Sequence, residues 1–229
     1  MKTLLGRRRV VTFALGLVLT LAWTPARGAE EGMIIDRVVA VIDGTPITLS
    51  ELEFEARVAL VGRGAVRAAT EPLDDGTLAS ALEYAISERL QASEADKLQA
   101  WRVDPAEVET AVRAFRERFA SPAEFEAFLA RHEADLQQLG AVLERGLRAS
   151  RMLESKVRLR AQVSEAEVRS YFDAHASELS GTYDELRVAL KEKLVRERYQ
   201  KLVQTELEQL RGTHDVRRVA KFAVGEDRG

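Results

Sequence analysis

The sequence predicts a mainly α protein, a multi-helix core with a small β-sheet joining the N- and C-terminal strands. Capping signals followed by apolar residues at helical spacing recur along most of the chain. Only two stretches, residues 38–42 (VVAVI) and 216–224 (VRRVAKFAV), are β-branched runs, and they stand near opposite ends. Two short strands are not stable alone in water, so the first run needs a partner from later in the chain.

Residues 38–53 organise the rest. The run 38–42 is followed by Asp43-Gly44, a pair that tolerates the positive φ of a two-residue hairpin turn. Pro46 cannot donate to a ladder and so confines the returning arm 45–48 to an edge. Thr48 and Ser50 each precede a glutamate by three residues, Glu51 and Glu53. Two overlapping capping boxes therefore announce a helix with Leu52, Ala56 and Leu60 on one face.

Residues 62–75, with two glycines, a proline and an Asp pair, read as a mobile loop. Asp75 or Thr77 begins a second helix to about Leu98, carrying Leu78, Leu82, Ile86 and Leu90; its second half is polar, so the first half is the expected core. Asp104-Pro-Ala-Glu107 and Ser121-Pro-Ala-Glu124 each place a cap, a proline at the first helical position and a glutamate at the third. Asp135 starts a long helix whose stripe of Leu136, Leu139, Leu143 and Leu147 slips to Leu153 and Val157, as in a helix that changes partner along its length. Ser164-Glu-Ala-Glu167 opens a helix with Val168, Tyr171 and Phe172, and Ser180-Gly181 breaks it. Thr182-Tyr-Asp-Glu185 then opens the longest amphipathic helix, ended by Gly212.

Residues 1–28 read as a signal peptide: Lys2 and Arg7, Arg8 and Arg9 make a basic start, residues 10–23 are apolar, and Ala26-Arg27-Gly28 offers small residues to a signal peptidase. The apolar run is shorter than the ~20 residues that span a bilayer. Removing residues 1–28 takes five basic and no acidic residues from the 34 and 37 of the whole chain, leaving 29 against 37 and a net charge of −8. Such an acidic domain does not suit nucleic acid, whose backbone selects basic faces. The chain has no Cys, hence no disulfide and no lipid-attachable thiol. The expected organisation is 1–28 signal peptide, 29–180 helical domain, and 181–229 a helix and strand packing back on it.

Catalytic signatures are missing from the sequence. It carries no Gly-x-Ser-x-Gly, phosphate-binding glycine loop or His-Glu-x-x-His, and His132, His175 and His214 have no ligand-spaced neighbours. No enzymatic role, metal or cofactor is therefore expected. Phe115, Phe119, Phe125 and Phe128 are the one apolar set that stands out. Ring burial makes them core by default. The functional reading is that part of the set lines a client-binding groove, and exposure decides between the two.

The order of elements, with Ile35-Asp-Arg-Val-Val-Ala-Val-Ile42 at one end and Tyr183-Asp-Glu-Leu-Arg, Glu192-Lys-Leu-Val-Arg-Glu-Arg and Val216-Arg-Arg-Val at the other, resembles the SurA family of periplasmic chaperones. The resemblance lies in the N-terminal domain and in the C-terminal helix and strand that fold back onto it. In that family parvulin-type prolyl isomerase domains usually stand before the C-terminal helix; here Ser180-Gly181-Thr182 occupies the place, so isomerase activity is not carried over. The resemblance implies a periplasmic holdase that binds unfolded outer-membrane or exported proteins. The alternative is an exported, non-enzymatic adaptor for one fixed protein partner. Cleavage near Gly28 predicts a native protein whose intact mass begins near Ala29 and which fractionates with soluble periplasm. A product retaining Met1 in the membrane pellet refutes this.

Overall fold

A computed structural model describes residues 36–222. The expected signal peptide (1–28) and the end of the C-terminal run (223–229) lie outside the described residues. Within them the chain is mainly α, with seven helices and one three-stranded antiparallel sheet.

Strands β1 (Val38–Ile42) and β2 (Thr45–Thr48) form the hairpin, and both turn residues take positive φ, 48° at Asp43 and 84° at Gly44, as a primed turn requires. Pro46 stands on the edge strand, since the sheet order is β2-β1-β3. Strand β3 (Val216–Arg218) pairs antiparallel with β1, Ile42 opposite Val216 and Ala40 opposite Arg218. The backbone amides of Val219 and Ala220 extend the junction by donating to the Val39 carbonyl. The ends of the described chain are therefore hydrogen-bonded into one sheet. Beside it, Asp43 accepts from the Asp215 backbone amide at 2.9 Å and pairs with the buried His214 ring. His214 holds the Asp43 carboxyl below the usual range.

Helix α1 (Leu49–Gly62) starts at Thr48, whose hydroxyl accepts from the Glu51 amide. Ser50 is not a second cap: it lies inside the helix and its hydroxyl donates to Asp36, which, bonded also by backbone amides, is held down at about 2. The following loop is fastened more firmly than its glycines suggest. Buried Arg57 donates to the carbonyls of Ala69 and Glu71 at 3.2 and 2.8 Å, around a short 3-10 turn (Ala68–Thr70).

Helix α2 (Asp75–Lys97) is capped by Asp74 and buries its second half too, at Glu88, Leu90, Gln91 and Ala95, because α5 and α7 cover it. Helices α3 (Pro105–Arg116) and α4 (Pro122–Arg131) start at Asp104 and Ser121 as expected. Glu124 serves the Ala120 amide. Helix α5 (Leu136–Val157) packs on α3, α2 and α7, and the change of partner leaves Leu136 exposed while Leu139, Met152 and Val157 are fully buried. Helices α6 (Glu165–Ala174) and α7 (Tyr183–Gly212) form an antiparallel pair after the Gly181 break, where φ is 133°.

Three apolar clusters result. The first lies between the sheet, α1, α2, α5 and the end of α7, with Ile47, Leu52, Leu82, Ile86, Met152 and Leu210. The second gathers Phe54, Val58 and Val61 of α1 with the rings of α3 and α4 and Leu139. The third is smaller and holds α6 to the start of α7 through Val163, Val168 and Leu190.

Glu83 of α2 ties the closing strand down: Arg218 meets it at 2.6 and 2.9 Å and Arg211 at 3.2 Å. The Arg218 hydrogen bond holds the Glu83 carboxyl below its usual 4.5. A depressed carboxyl contributes stability above its unfolded pKa and loses it as pH falls through the lower folded value. Glu83→Gln should therefore lower the melting temperature at pH 7, and the gap from the parent should close between about pH 5 and 3. Thermal melts across that range check this; a gap of constant size refutes it.

Candidate functional site

Phe115, Phe119, Phe125 and Phe128 are 3, 8, 3 and 3% exposed. Their spacing along α3, the turn after it and α4 turns all four rings inward onto one another, with centroid separations from 5.3 Å (Phe119–Phe128) to 6.4 Å (Phe115–Phe125). Phe54 of α1 joins at 6.2 Å from Phe128, and His132, at the end of α4, meets the Phe128 ring edge-on at 5.2 Å. The set is thus core, and the expectation that part of it offers open surface to a client is corrected. Aromatic rings bury too much apolar area to be left out when two helices can close on them.

A groove does exist beside this core, between α3, α4 and α5, with a volume of about 860 Å³. Its walls are mainly aliphatic, Val108 and Val112 from α3, Leu129 from α4 and Leu136 from α5, and Gly140 lets α5 come close to Val108. Of the four rings only Phe125 reaches its wall, and Arg116 caps that ring with its guanidinium 5.7 Å from the centroid. Glu109, Arg113, Glu126 and Glu144 put both signs of charge on the rim. Chemically this is a concave surface, apolar inside and polar at its edge.

A second concavity, of about 460 Å³, opens between α1, α2 and α5. It exists because small residues meet there: Ala59, Ser80, Ala81, Ala111, Gly146 and Ser150 leave unfilled the space that larger side chains would take. Charged groups lie along one side. Arg89 of α2 forms two 2.8 Å hydrogen bonds to Glu55 and one of 2.6 Å to Glu51, and Arg145 of α5 also pairs with Glu55. Burial would lower the Arg89 pKa, but the glutamates outweigh it and raise it. Glu88 is held less closely, with Arg145 Nε 3.7 Å away, and its burial raises its pKa although Tyr84 and Arg145 oppose the shift. The Tyr84 phenol, half exposed at the mouth, is pushed up to about 12 by partial burial and by the neighbouring Glu88 charge.

Sequence reasoning missed Glu55, Glu88, Arg89 and Arg145. A signal was there: Ala81, Ala85 and Glu88 fall at i, i+4 and i+7, so a carboxylate shares a face with small residues beside an apolar stripe. The histidines are scattered. His132 and His175 terminate α4 and α6, and His175 stacks on Tyr171 at 4.0 Å. Among the described residues no group of three His, Cys, Asp or Glu gathers at metal-binding distance, and no helix is long and apolar enough to cross a membrane. No family model and no curated protein matches the chain.

Phe119→Ala should cost about 3–5 kcal/mol, as truncations of buried rings do. Leu136→Ser, at a side chain 57% exposed on the groove rim, should stay within about 0.5 kcal/mol of the parent. Urea unfolding of the two variants separates core from surface; equal and small losses would overturn the assignment.

Proposed function

We propose that this protein is a non-catalytic periplasmic holdase that binds unfolded outer-membrane or exported proteins in the groove between α3, α4 and α5. The observation that carries the reading is that groove: aliphatic walls of Val108, Val112, Leu129 and Leu136 behind a rim of mixed charge suit many apolar segments and demand no particular sequence. The signal-like start and the SurA-like order of elements support the same reading. Phe125, 3% exposed, backs the groove wall beneath the Arg116 guanidinium, and Phe115, Phe119 and Phe128 stiffen it from behind.

A client covering about 400 Å² of apolar surface gains roughly 10 kcal/mol at ~25 cal/mol per Å². Association and ordering of a flexible chain cost ~4–15 kcal/mol, so affinities are micromolar or weaker. Weak binding lets a carrier release its client without ATP. At molar excess the protein should delay aggregation of a urea-diluted outer-membrane protein and leave a native globular protein unbound, as followed by light scattering. Leu136→Asp combined with Val108→Ser should shorten that delay severalfold with the fold intact by circular dichroism. No delay at any excess refutes the holdase. Retention of one protein that unrelated unfolded peptides fail to displace replaces it with a dedicated adaptor.

A further inference from the structure

The smaller concavity holds a charge balance that the protein leaves incomplete. Glu51 and Glu55 are matched by Arg89 and Arg145, with hydrogen bonds to both carboxylates from Arg89. Glu88 is the third carboxylate and shares Arg145 with Glu55, its Oε2 3.7 Å from Arg145 Nε, so three carboxylates face two guanidiniums. The residue is 8% exposed, yet it lines the cavity, and the missing side chain of Gly146 gives its Oε1 room to lie against α5. A buried carboxylate facing an apolar, water-accessible space is compensated best by a cation brought in with an apolar body.

We propose that the cavity between α1, α2 and α5 binds a small apolar molecule bearing one amino group, whose ammonium pairs with Glu88 while its body lies among Ala59, Ala81, Leu143 and Leu147. The volume, about 460 Å³, is that of a site for one drug-sized molecule and not for a length of chain. Arg63 also lines the cavity, but at its exposed outer end, where solvent screens it. The site is independent of the client groove.

The groups around Glu88 are Glu55 and Arg63 from α1 and its end, Tyr84 and Arg89 from α2, and Arg145 from α5; α3 contributes the uncharged Ala111. Burial favours the protonated form of Glu88 in the empty protein, and an ammonium favours the ionised one. Binding of the ammonium therefore draws Glu88 toward its ionised form, and the amine's affinity rises with pH.

The test uses 4-phenylbutylamine, 4-phenylbutanol and 4-phenylbutyrate, with calorimetry on the full mature protein between pH 5 and 8. The amine should bind at least tenfold more tightly than the alcohol or the acid at pH 8, and that advantage should shrink as pH falls. In Glu88→Gln the preference should vanish and the pH dependence flatten; Ala59→Trp should fill the cavity and abolish binding of all three. Equal affinity for the three probes, tighter binding of the acid, an amine advantage that grows as pH falls, or no amine binding at millimolar concentration each overturns the proposal. So does binding of a capped lysine-containing apolar peptide in place of the free amine. The probe measurements need only the parent protein, so they decide even where a variant fails to fold.

Discussion

The fold depends on β1 having a partner on each side. A hairpin of five and four residues cannot hold itself together in water, and β2 can supply only an edge. The third strand comes from the far end of the described chain, three residues long, with the Val219 and Ala220 amides on the Val39 carbonyl and the Asp43–His214 contact beside it. Since β3 follows α7 after only three residues, closing the sheet also brings in the end of α7. Leu210 of α7 and Ala220 past β3 then sit in the same cluster as Val39 and Ile47. Burial and strand pairing are here one event.

That constraint makes α7 a beam fixed at one end. Thirty residues at 1.5 Å each span about 45 Å. Its last turns belong to the first cluster, its first turns to the third with α6. Between them Lys156 bridges α5 to buried Glu206 at 2.6 Å, and Arg198 reaches Glu167 and the Gln162 carbonyl. Exposed pairs of the Arg198–Glu167 kind stabilise by less than about 1 kcal/mol. The α6 end thus rests on a few side chains around Val168 and Leu190, and it is the part with least to hold it.

Much of this was legible. The hairpin turn, the edge position of Pro46, the caps at Thr48, Asp104, Ser121, Asp135, Ser164 and Thr182, and the pairing of the two β-branched runs all follow from local chemistry, and local chemistry is what one sequence displays. Where reading failed, a distant partner decided. Ser50 has the spacing of a cap, but Asp36 takes its hydroxyl; residues 63–74 have the composition of a free loop, but Arg57 holds their carbonyls. The second half of α2 looks solvated because its polar residues are counted without α5 and α7. The phenylalanine set failed as a groove for the same reason: their spacing places them on facing helices, but only the fold says whether those helices close on the rings or leave them open.

The stripe slip along α5 had a further meaning. Leu136, Gly140 and Glu144 line the groove between α3, α4 and α5, and Leu143, Gly146 and Ser150 line the smaller cavity, so one helix presents two neighbouring faces to two concavities. Helix α3 does likewise, with Val108 and Val112 on one side and Ala111 on the other. The two glycines of α5 are not equivalent in this arrangement. A methyl group at Gly140 would stand 3.6 Å from Val108, an ordinary contact, so that position only permits close packing of α3. At Gly146 it would stand 3.0 Å from Glu88 Oε1 and press on the carboxylate that shares Arg145 with Glu55. Glycine in a helix interior costs about 0.5–1 kcal/mol relative to alanine. At Gly146 that cost gives the Glu88 carboxylate room to lie against α5, where a methyl group would force it to shift.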